Sequence, residues 1–194
     1  LYTMNQYVVI PTNFIFVDYL GYDSMWTGVV LAVSPLGSIL SQTLYFKIQD
    51  SYRLPLMISC VSFLLGNFFY CIAFTYESLT LVILSRFLIG MGGARSVIRR
   101  YYIEQLSNER LSYYSFYYVT LMYLGIALGP GICLFSNILP DSSYGILILN
   151  TLTYPGFIPL VIWLAYSIIF LVLYSDFVGM TIKETGEADI DKSS

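Results

Sequence analysis

The sequence predicts an all-α integral membrane protein, built as a bundle of six transmembrane helices. Of its 194 residues, 57% are hydrophobic and only 11% are charged, whereas soluble domains carry about 25% charged residues. The apolar residues come in blocks of roughly 20, the length that a helix needs to cross a bilayer core of about 30 Å. Lipid offers backbone groups no hydrogen-bond partner, so blocks this long and uniformly apolar are predicted to be helices.

Six apolar blocks define the predicted spans of a bundle over residues 1–178. They cover about residues 1–18, 25–46, 54–76, 79–104, 111–138 and 155–177. Residues 179–194 are polar and acidic, a composition that buries too little apolar surface to fold alone, and they predict a disordered cytoplasmic linker. The chain opens on Leu1 with no charged segment before the first apolar block, so we expect an excerpt of a longer polypeptide.

The basic residues predict the orientation of the bundle. Seven of them lie at the ends of the second and fourth spans, in the connections that follow, or in the tail, namely Lys47, Arg53, Arg99, Arg100, Arg110, Lys183 and Lys192. The other three connections contain no Lys or Arg. Because cytoplasmic loops carry the excess of basic residues, both ends of the segment are predicted to be cytoplasmic.

Two arginines, Arg86 and Arg95, lie inside the fourth predicted span. An arginine in the apolar slab costs a few kcal/mol, so such residues usually face a bundle interior or a water-filled cavity. Each of them either binds an anion directly or braces the bundle by pairing with acids or backbone carbonyls. On a continuous helix Arg95 and Arg99 share a face, about 180° to 220° from Arg86, so at most one of the two basic faces lines a central cavity.

Few acids are available at membrane depth to neutralise these arginines. Arg100 lies four residues before Glu104, which predicts an intrahelical ion pair. A cavity lined by arginine without matching carboxylates attracts anions, and the planar guanidinium suits the oxygens of phosphate or carboxylate. We therefore expect a site for a small anion at Arg95 and Arg99, with Arg86 as a further candidate.

Small residues and prolines predict close helix crossings. Gly90 and Gly93 precede Arg95 in the fourth span, and Gly125, Gly129 and Pro130 lie in the fifth. Small residues let helix backbones approach closely in lipid, and proline kinks a helix. Packing is the expected role of the first pair, whereas the second group marks a close crossing and a candidate hinge.

Other polar or kinking residues in apolar surroundings are Asn5, Tyr7, Pro11 and Asn67. Each polar one serves either as an interhelical hydrogen bond or as a donor in the cavity. The sequence contains no histidine, which excludes His-based metal ligation and general-base chemistry, and no residue constellation resembles a hydrolase site. We expect no enzyme activity, no metal and no cofactor, and nothing in the charge balance suggests nucleic acid.

Several motifs resemble known transporters. The Arg86 to Gly90 spacing resembles the fourth-helix motif of the major facilitator superfamily, and the fifth span contains a motif similar to that of many of its antiporters, GIALGPG. A narrower resemblance runs from Leu1 to Phe177, through LYTMNQYVVIPT, TLYFKIQDSYRLPLM, FLLGNFFY, GMGGARSVIRRYYIE, LGIALGPG and YPGFIPLVIWLAY. These segments look like the membrane domain of the eukaryotic SPX-domain-bearing facilitator proteins, which are vacuolar phosphate transporters.

This resemblance implies that the chain is the first six-helix half of a major-facilitator fold. It implies a secondary transporter that moves phosphate across a vacuolar membrane by alternating access, with a second six-helix half and an upstream cytosolic SPX domain as partners. Two alternatives stay open. One is a lysosomal-type facilitator of another small organic or inorganic anion, and the other is a non-transporting membrane subunit or scaffold.

Overall fold

Helices account for most of the described chain. The computed structural model describes the backbone of residues 1–48, 52–105, 108–145 and 147–191, and the side chains of these residues except 105, 108, 109, 144 and 174–191. In that part of the chain, five helical segments are long and apolar enough to cross a membrane: Met25–Lys47, Arg53–Thr75, Leu79–Glu104, Arg110–Ser136 and Tyr154–Leu173. The prediction of a helical membrane bundle is confirmed at this level, whereas the count of six spans stays a prediction.

The secondary-structure elements follow the apolar blocks of the sequence. In chain order they are α1 (Tyr2–Tyr7), α2 (Ile10–Tyr19), α3 (Met25–Lys47), α4 (Arg53–Thr75), α5 (Leu79–Met91), α6 (Arg95–Gln105), α7 (Asn108–Ser136), β1 (Ser142–Tyr144), β2 (Leu147–Leu149) and α8 (Tyr154–Asp191).

The first predicted span is divided into two short helices, α1 of 6 residues and α2 of 10. Pro11 lies in the first turn of α2. Proline has no backbone N–H, so it cannot donate the helical hydrogen bond to the carbonyl of Tyr7, and the ladder is interrupted there. Neither helix alone is long enough to cross a bilayer, so a sixth crossing requires both of them.

The fourth predicted span is also divided, because α5 ends at Met91 and α6 begins at Arg95. The interruption includes the paired glycines Gly92 and Gly93. Glycine has a low helix propensity, because its backbone loses more conformational entropy on helix formation than that of other residues. The expectation that Arg86 and Arg95 lie on one continuous helix is therefore wrong. The angle of about 180° predicted between them does not apply.

The connection expected at residues 139–154 contains regular structure. Strands β1 and β2 pair in antiparallel register, with Ser142 opposite Leu149. Gly145 lies between them with a φ of 60°, a conformation that glycine adopts without steric cost. The predicted loop is thus in part a β-hairpin.

The last helix, α8, continues to Asp191 and includes most of the segment predicted to be a disordered linker. Good helix formers recur in this segment, among them Lys183, Glu184 and Ala188. Local helix propensity accounts for helix in this segment without tertiary burial, and its role as a cytoplasmic linker stays a prediction. Residues 192–194 lie outside the described part of the chain.

Helix α5 forms the centre of the bundle, where it packs against both α3 and α4, while α1 packs against α7 and α4 against α8. The contact between α3 and α5 depends on glycine. A Cβ added at Gly90 would clash with the carbonyl oxygen of Ser34 and lie 2.9 Å from its carbonyl carbon. A Cβ at Gly37 would clash with the carbonyl oxygen of Phe87. The two backbones therefore touch, and no larger residue fits between them.

The crossing of α1 and α7 depends on the glycines that the sequence singled out in the fifth span. A Cβ at Gly125 would lie 3.1 Å from the backbone nitrogen of Met4, and a Cβ at Gly129 would lie 2.9 Å from the Cβ of Tyr7. Pro130 is exposed, and α7 continues through it. The close crossing is thus present, whereas a hinge at Pro130 stays a prediction.

The topology predicts a simple labelling pattern. We expect single cysteines placed in residues 139–154 to react with a membrane-impermeant reagent only from the non-cytosolic side, and cysteines beside Arg53 or Arg110 only from the cytosol, because basic residues flank the cytoplasmic ends. The three native cysteines are buried and give little background. Reaction of both regions from the same side would contradict the six-span arrangement. If single cysteines placed before α1 and after α2 react from the same side, the first segment does not cross the membrane.

Candidate functional site

Side chains from neighbouring helices donate hydrogen bonds to the backbone at the interruption between α5 and α6. Irregular backbone at membrane depth is tolerated only where its polar groups find partners. Four consecutive carbonyls, from Gly90 to Gly93, each accept a side-chain hydrogen bond. The donors are Ser38 (3.1 Å) for Gly90, Tyr45 (3.0 Å) for Met91, Ser59 for Gly92 and Gln42 for Gly93. The interruption is therefore a defined structure held by α3 and α4.

Gln42 joins the two sides of this interruption. Its amide nitrogen donates to the carbonyl of Gly93, and its amide oxygen accepts from the backbone N–H of Ser96, at 3.2 Å. The first N–H groups of a helix lack intrahelical partners, so this contact caps α6. It fixes the start of α6, and with it the backbone of Arg95.

Arg95, the first residue of α6, is held by Tyr2. Its Nη2 donates to the Tyr2 hydroxyl at 2.9 Å, and its guanidinium carbon lies 4.5 Å from the centroid of the Tyr2 ring. Both a hydrogen bond and a cation–π contact therefore orient the guanidinium. In the part of the chain that the structure describes, no carboxylate pairs with Arg95.

Arg95 lines a cavity of 260 Å³ between α1, α4, α6, α7 and α8. The walls are mainly apolar and include the stacked rings of Phe63 and Trp163, whose centroids lie 3.9 Å apart. Ser59 and Tyr118 add polar groups to the lining. Arg95 itself is exposed although it contributes to this lining, so solvent reaches its side chain.

Arg99 lies one helical turn after Arg95 and is exposed. It lines a second cavity, of 340 Å³, together with Tyr102 and Ser115. Tyr118 lies in the walls of both cavities. The two arginines predicted to share a face thus belong to adjacent cavities along α6, rather than to one pocket.

Arg86 occupies a different environment. It is 1% exposed, and its Nη2 donates to the backbone carbonyl of Gln6 at 2.9 Å. Gln6 lies at the end of α1, next to the interruption before α2, and Arg86 lines neither of the two cavities. The bond to Gln6 agrees with the bracing interpretation of Arg86. Its Nε and Nη1 have no hydrogen-bond partner among the described residues, and its role as a further candidate for anion binding stays a prediction.

The remaining predicted polar residues are not brought to Arg95. Asn5 is fully buried, and its amide has no hydrogen-bond partner among the described residues. Asn67 is also fully buried and donates to the carbonyl of Phe63, within its own helix, at 2.8 Å. Tyr7 is 37% exposed. None of the three lines either cavity, so their predicted role in substrate binding gains no support from this geometry.

Arg100 and Glu104 make the contact that their spacing predicts. Nε of Arg100 lies 3.5 Å from Oε1 of Glu104. Tyr52 adds to this pair, because the Arg100 guanidinium carbon lies 4.6 Å from its ring centroid and its hydroxyl donates to Glu104. The bond to the carboxylate raises the pKa of Tyr52 above its ordinary value. Glu104 is thereby engaged at the end of α6, away from Arg95.

Sequence reasoning missed Tyr2, Ser38 and Gln42, which organise the surroundings of Arg95. A signal for the two residues of α3 was present. Ser34, Ser38 and Gln42 recur every four residues in an apolar span, which places them on one helix face. Tyr2 is one of 19 tyrosines, and nothing in the sequence distinguishes it.

Comparison with known proteins gives a consistent set of relatives. The chain is 37% identical over 172 residues to an SPX domain-containing membrane protein of Oryza sativa subsp. indica, a match that covers 87% of this chain and 24% of that protein. It is 35% identical over 192 residues to one of Oryza sativa subsp. japonica, covering 96% of this chain and 26% of that protein. The chain is a homologue of SPX domain-containing membrane proteins.

A homologue in Arabidopsis thaliana, also named an SPX domain-containing membrane protein, is 30% identical over 170 residues, which cover 87% of this chain and 24% of that protein. The chain thus spans about a quarter of the length of the curated relatives it matches. No protein-family model matches it, and no solved structure does. These relatives and the five apolar helices together identify a membrane protein, while the major-facilitator fold stays a prediction.

Proposed function

We propose that the chain is one six-helix half of a major-facilitator-type secondary transporter that carries phosphate by alternating access. The observation that carries this proposal is Arg95, a guanidinium in a largely apolar cavity with no carboxylate partner among the described residues. Such a group attracts anions and excludes cations. Two of its nitrogens, Nε and Nη1, make no hydrogen bond within the described part of the chain, and either of them forms a fork for an oxyanion together with the second hydrogen of Nη2.

The dimensions of the cavity fit a small hydrated anion. Its volume of 260 Å³ is several times the roughly 30 Å³ that a water molecule occupies in the liquid. A tetrahedral oxyanion therefore enters with part of its water shell. The apolar wall of Phe63 and Trp163 excludes water from one side of the bound anion, whereas Arg95 itself is accessible to solvent.

The cargo and the compartment come from the motif resemblance of the sequence, with which the names of the relatives agree. Their name contains the SPX domain, and the motif resemblance of the sequence implies phosphate transport at a vacuolar membrane. In the proposed protein an upstream SPX domain lies in the cytosol, both ends of this segment are cytoplasmic, and a second six-helix half completes the path. The proposal includes no enzyme activity, metal or cofactor.

The test is phosphate uptake by the full-length protein in liposomes. We expect saturable uptake of radioactive phosphate, under an imposed proton, sodium or voltage gradient, and inhibition by unlabelled phosphate but not by equal chloride. Liposomes without protein give the background. Uptake no faster than this background under all three gradients, with protein shown to be folded, would overturn the proposal.

A further inference from the structure

We propose that Tyr2 is a positioning residue, which holds the Arg95 guanidinium in the orientation that receives the anion. This inference rests on the proposed function, because it assigns a role at the same site. It begins from the hydrogen bonds of a single hydroxyl group. The Tyr2 oxygen contacts three partners: Nη2 of Arg95 at 2.9 Å, Nε2 of Gln6 at 3.1 Å and Oγ of Ser38 at 3.1 Å.

The direction of each of these hydrogen bonds follows from counting protons. Arginine and the amide nitrogen of Gln6 can only donate, so the Tyr2 oxygen accepts from both and its own proton goes to Ser38. Ser38 in turn donates to the carbonyl of Gly90, at 3.1 Å. Every donor and acceptor position of the Tyr2 hydroxyl is used. It cannot rotate to another partner without losing a bond, so it offers Arg95 a fixed acceptor.

The Tyr2 ring is fixed as well. Phe63 contacts it edge-on, with ring centroids 5.7 Å apart. On another side lies Gly93, where an added Cβ would be 3.2 Å from Cε2 of Tyr2. The ring therefore occupies a slot beside the interruption between α5 and α6, and it presents one face to the Arg95 guanidinium 4.5 Å away.

The consequence is preorganisation of Arg95. An arginine side chain has several rotatable bonds, and ordering it opposes binding. Here the ordering precedes the arrival of the anion, because the hydrogen bond and the ring hold Nη2 in place. Tyr2 thus acts on the anion through Arg95. Its loss affects the apparent affinity for phosphate more than the maximal rate.

Tyr2→Phe tests this role in the full-length protein, since it keeps the ring and removes only the hydroxyl. We expect the KM for phosphate to rise about tenfold, because anion binding then has to order the Arg95 side chain, while the maximal rate per folded molecule stays within about twofold. Tyr70→Phe is the matched control. Tyr70 is fully buried and lines neither cavity. Its replacement leaves KM unchanged.

A second readout does not need transport. Phenylglyoxal modifies exposed guanidinium groups, and mass spectrometry locates the modified arginine. We expect Tyr2→Phe to speed modification of Arg95 several-fold, because the guanidinium loses its fixed acceptor, and to leave Arg99, which lines the other cavity, at its original rate. Equal acceleration at both arginines would indicate general loosening and overturn the positioning role.

The outcomes separate this inference from the proposed function. If Tyr2→Phe changes neither KM nor the modification rate of Arg95, while Arg95→Gln abolishes uptake, Tyr2 does not position Arg95 and the proposed function stands. If the unmodified protein takes up no phosphate, the proposed function and the role of Tyr2 in anion binding both fail. Non-additive effects of Tyr2→Phe and Arg95→Lys on KM would support the inference, since Tyr2 acts through Arg95. Additive effects would contradict it.

Discussion

Arg95→Gln removes most phosphate transport while the protein stays inserted and near its normal abundance. Glutamine keeps part of the hydrogen-bonding capacity but loses the charge. A charge-assisted hydrogen bond contributes about 1.5–3 kcal/mol, so we expect uptake per folded molecule to fall at least about tenfold. Arg95→Lys restores the function only in part, because an ammonium group keeps the charge but lacks the planar fork.

Arg86→Gln gives the contrasting result. Arg86 is buried and donates to the carbonyl of Gln6, so its loss leaves a buried acceptor without its partner. We expect a lower level of folded protein and near-normal transport by each folded molecule. The measurement is uptake divided by the folded fraction from detergent size-exclusion profiles. Normal uptake per folded molecule by Arg95→Gln would show that the cargo site lies elsewhere.

Gly90→Ala is expected to lower the melting temperature of the protein, although alanine favours helix by up to about 1 kcal/mol over glycine. The added methyl group clashes with the carbonyl oxygen of Ser34 on α3. Backbone cannot rotate aside as a side chain does, so α3 and α5 must separate. Overpacking of this kind lowers the free energy of unfolding by about 1–3 kcal/mol. Because the clash is with backbone, we expect Gly90→Ala to lie at the upper end of this range.

Gly131→Ala is the matched control for this prediction. Gly131 is also within a membrane helix, but a Cβ there meets no atom within 4 Å. The substitution is expected to be neutral or stabilising, since only helix propensity changes. Thermal unfolding of both variants in detergent measures the difference. Equal melting temperatures would contradict the close contact between α3 and α5.

The sequence predicted the parts of the fold that depend on local composition. Apolar blocks located the membrane helices, the Gly125 and Gly129 spacing indicated a close crossing, and the Arg100 and Glu104 spacing gave a contact within one helix. Each of these signals lies within a few turns of chain. A single sequence records such signals directly, because neighbours on a helix are neighbours in the sequence.

The interruption at residues 92–94 was not predicted, and its cause is tertiary. Gln42 lies 51 residues from Gly93, and Ser59 lies 33 residues from Gly92. A glycine pair within an apolar block is compatible with both a continuous and a broken helix. The hydrogen bonds from α3 and α4 decide between them.

Equilibrium binding of phosphate tests the central claim most directly, because it does not depend on the coupling ion or on the direction of transport. Purified full-length protein in detergent is titrated with phosphate by calorimetry, beside Arg95→Gln at the same folded concentration. The account predicts saturable binding to the unmodified protein and a loss of affinity of at least about tenfold in the variant. Equal phosphate affinity in the two proteins would contradict it.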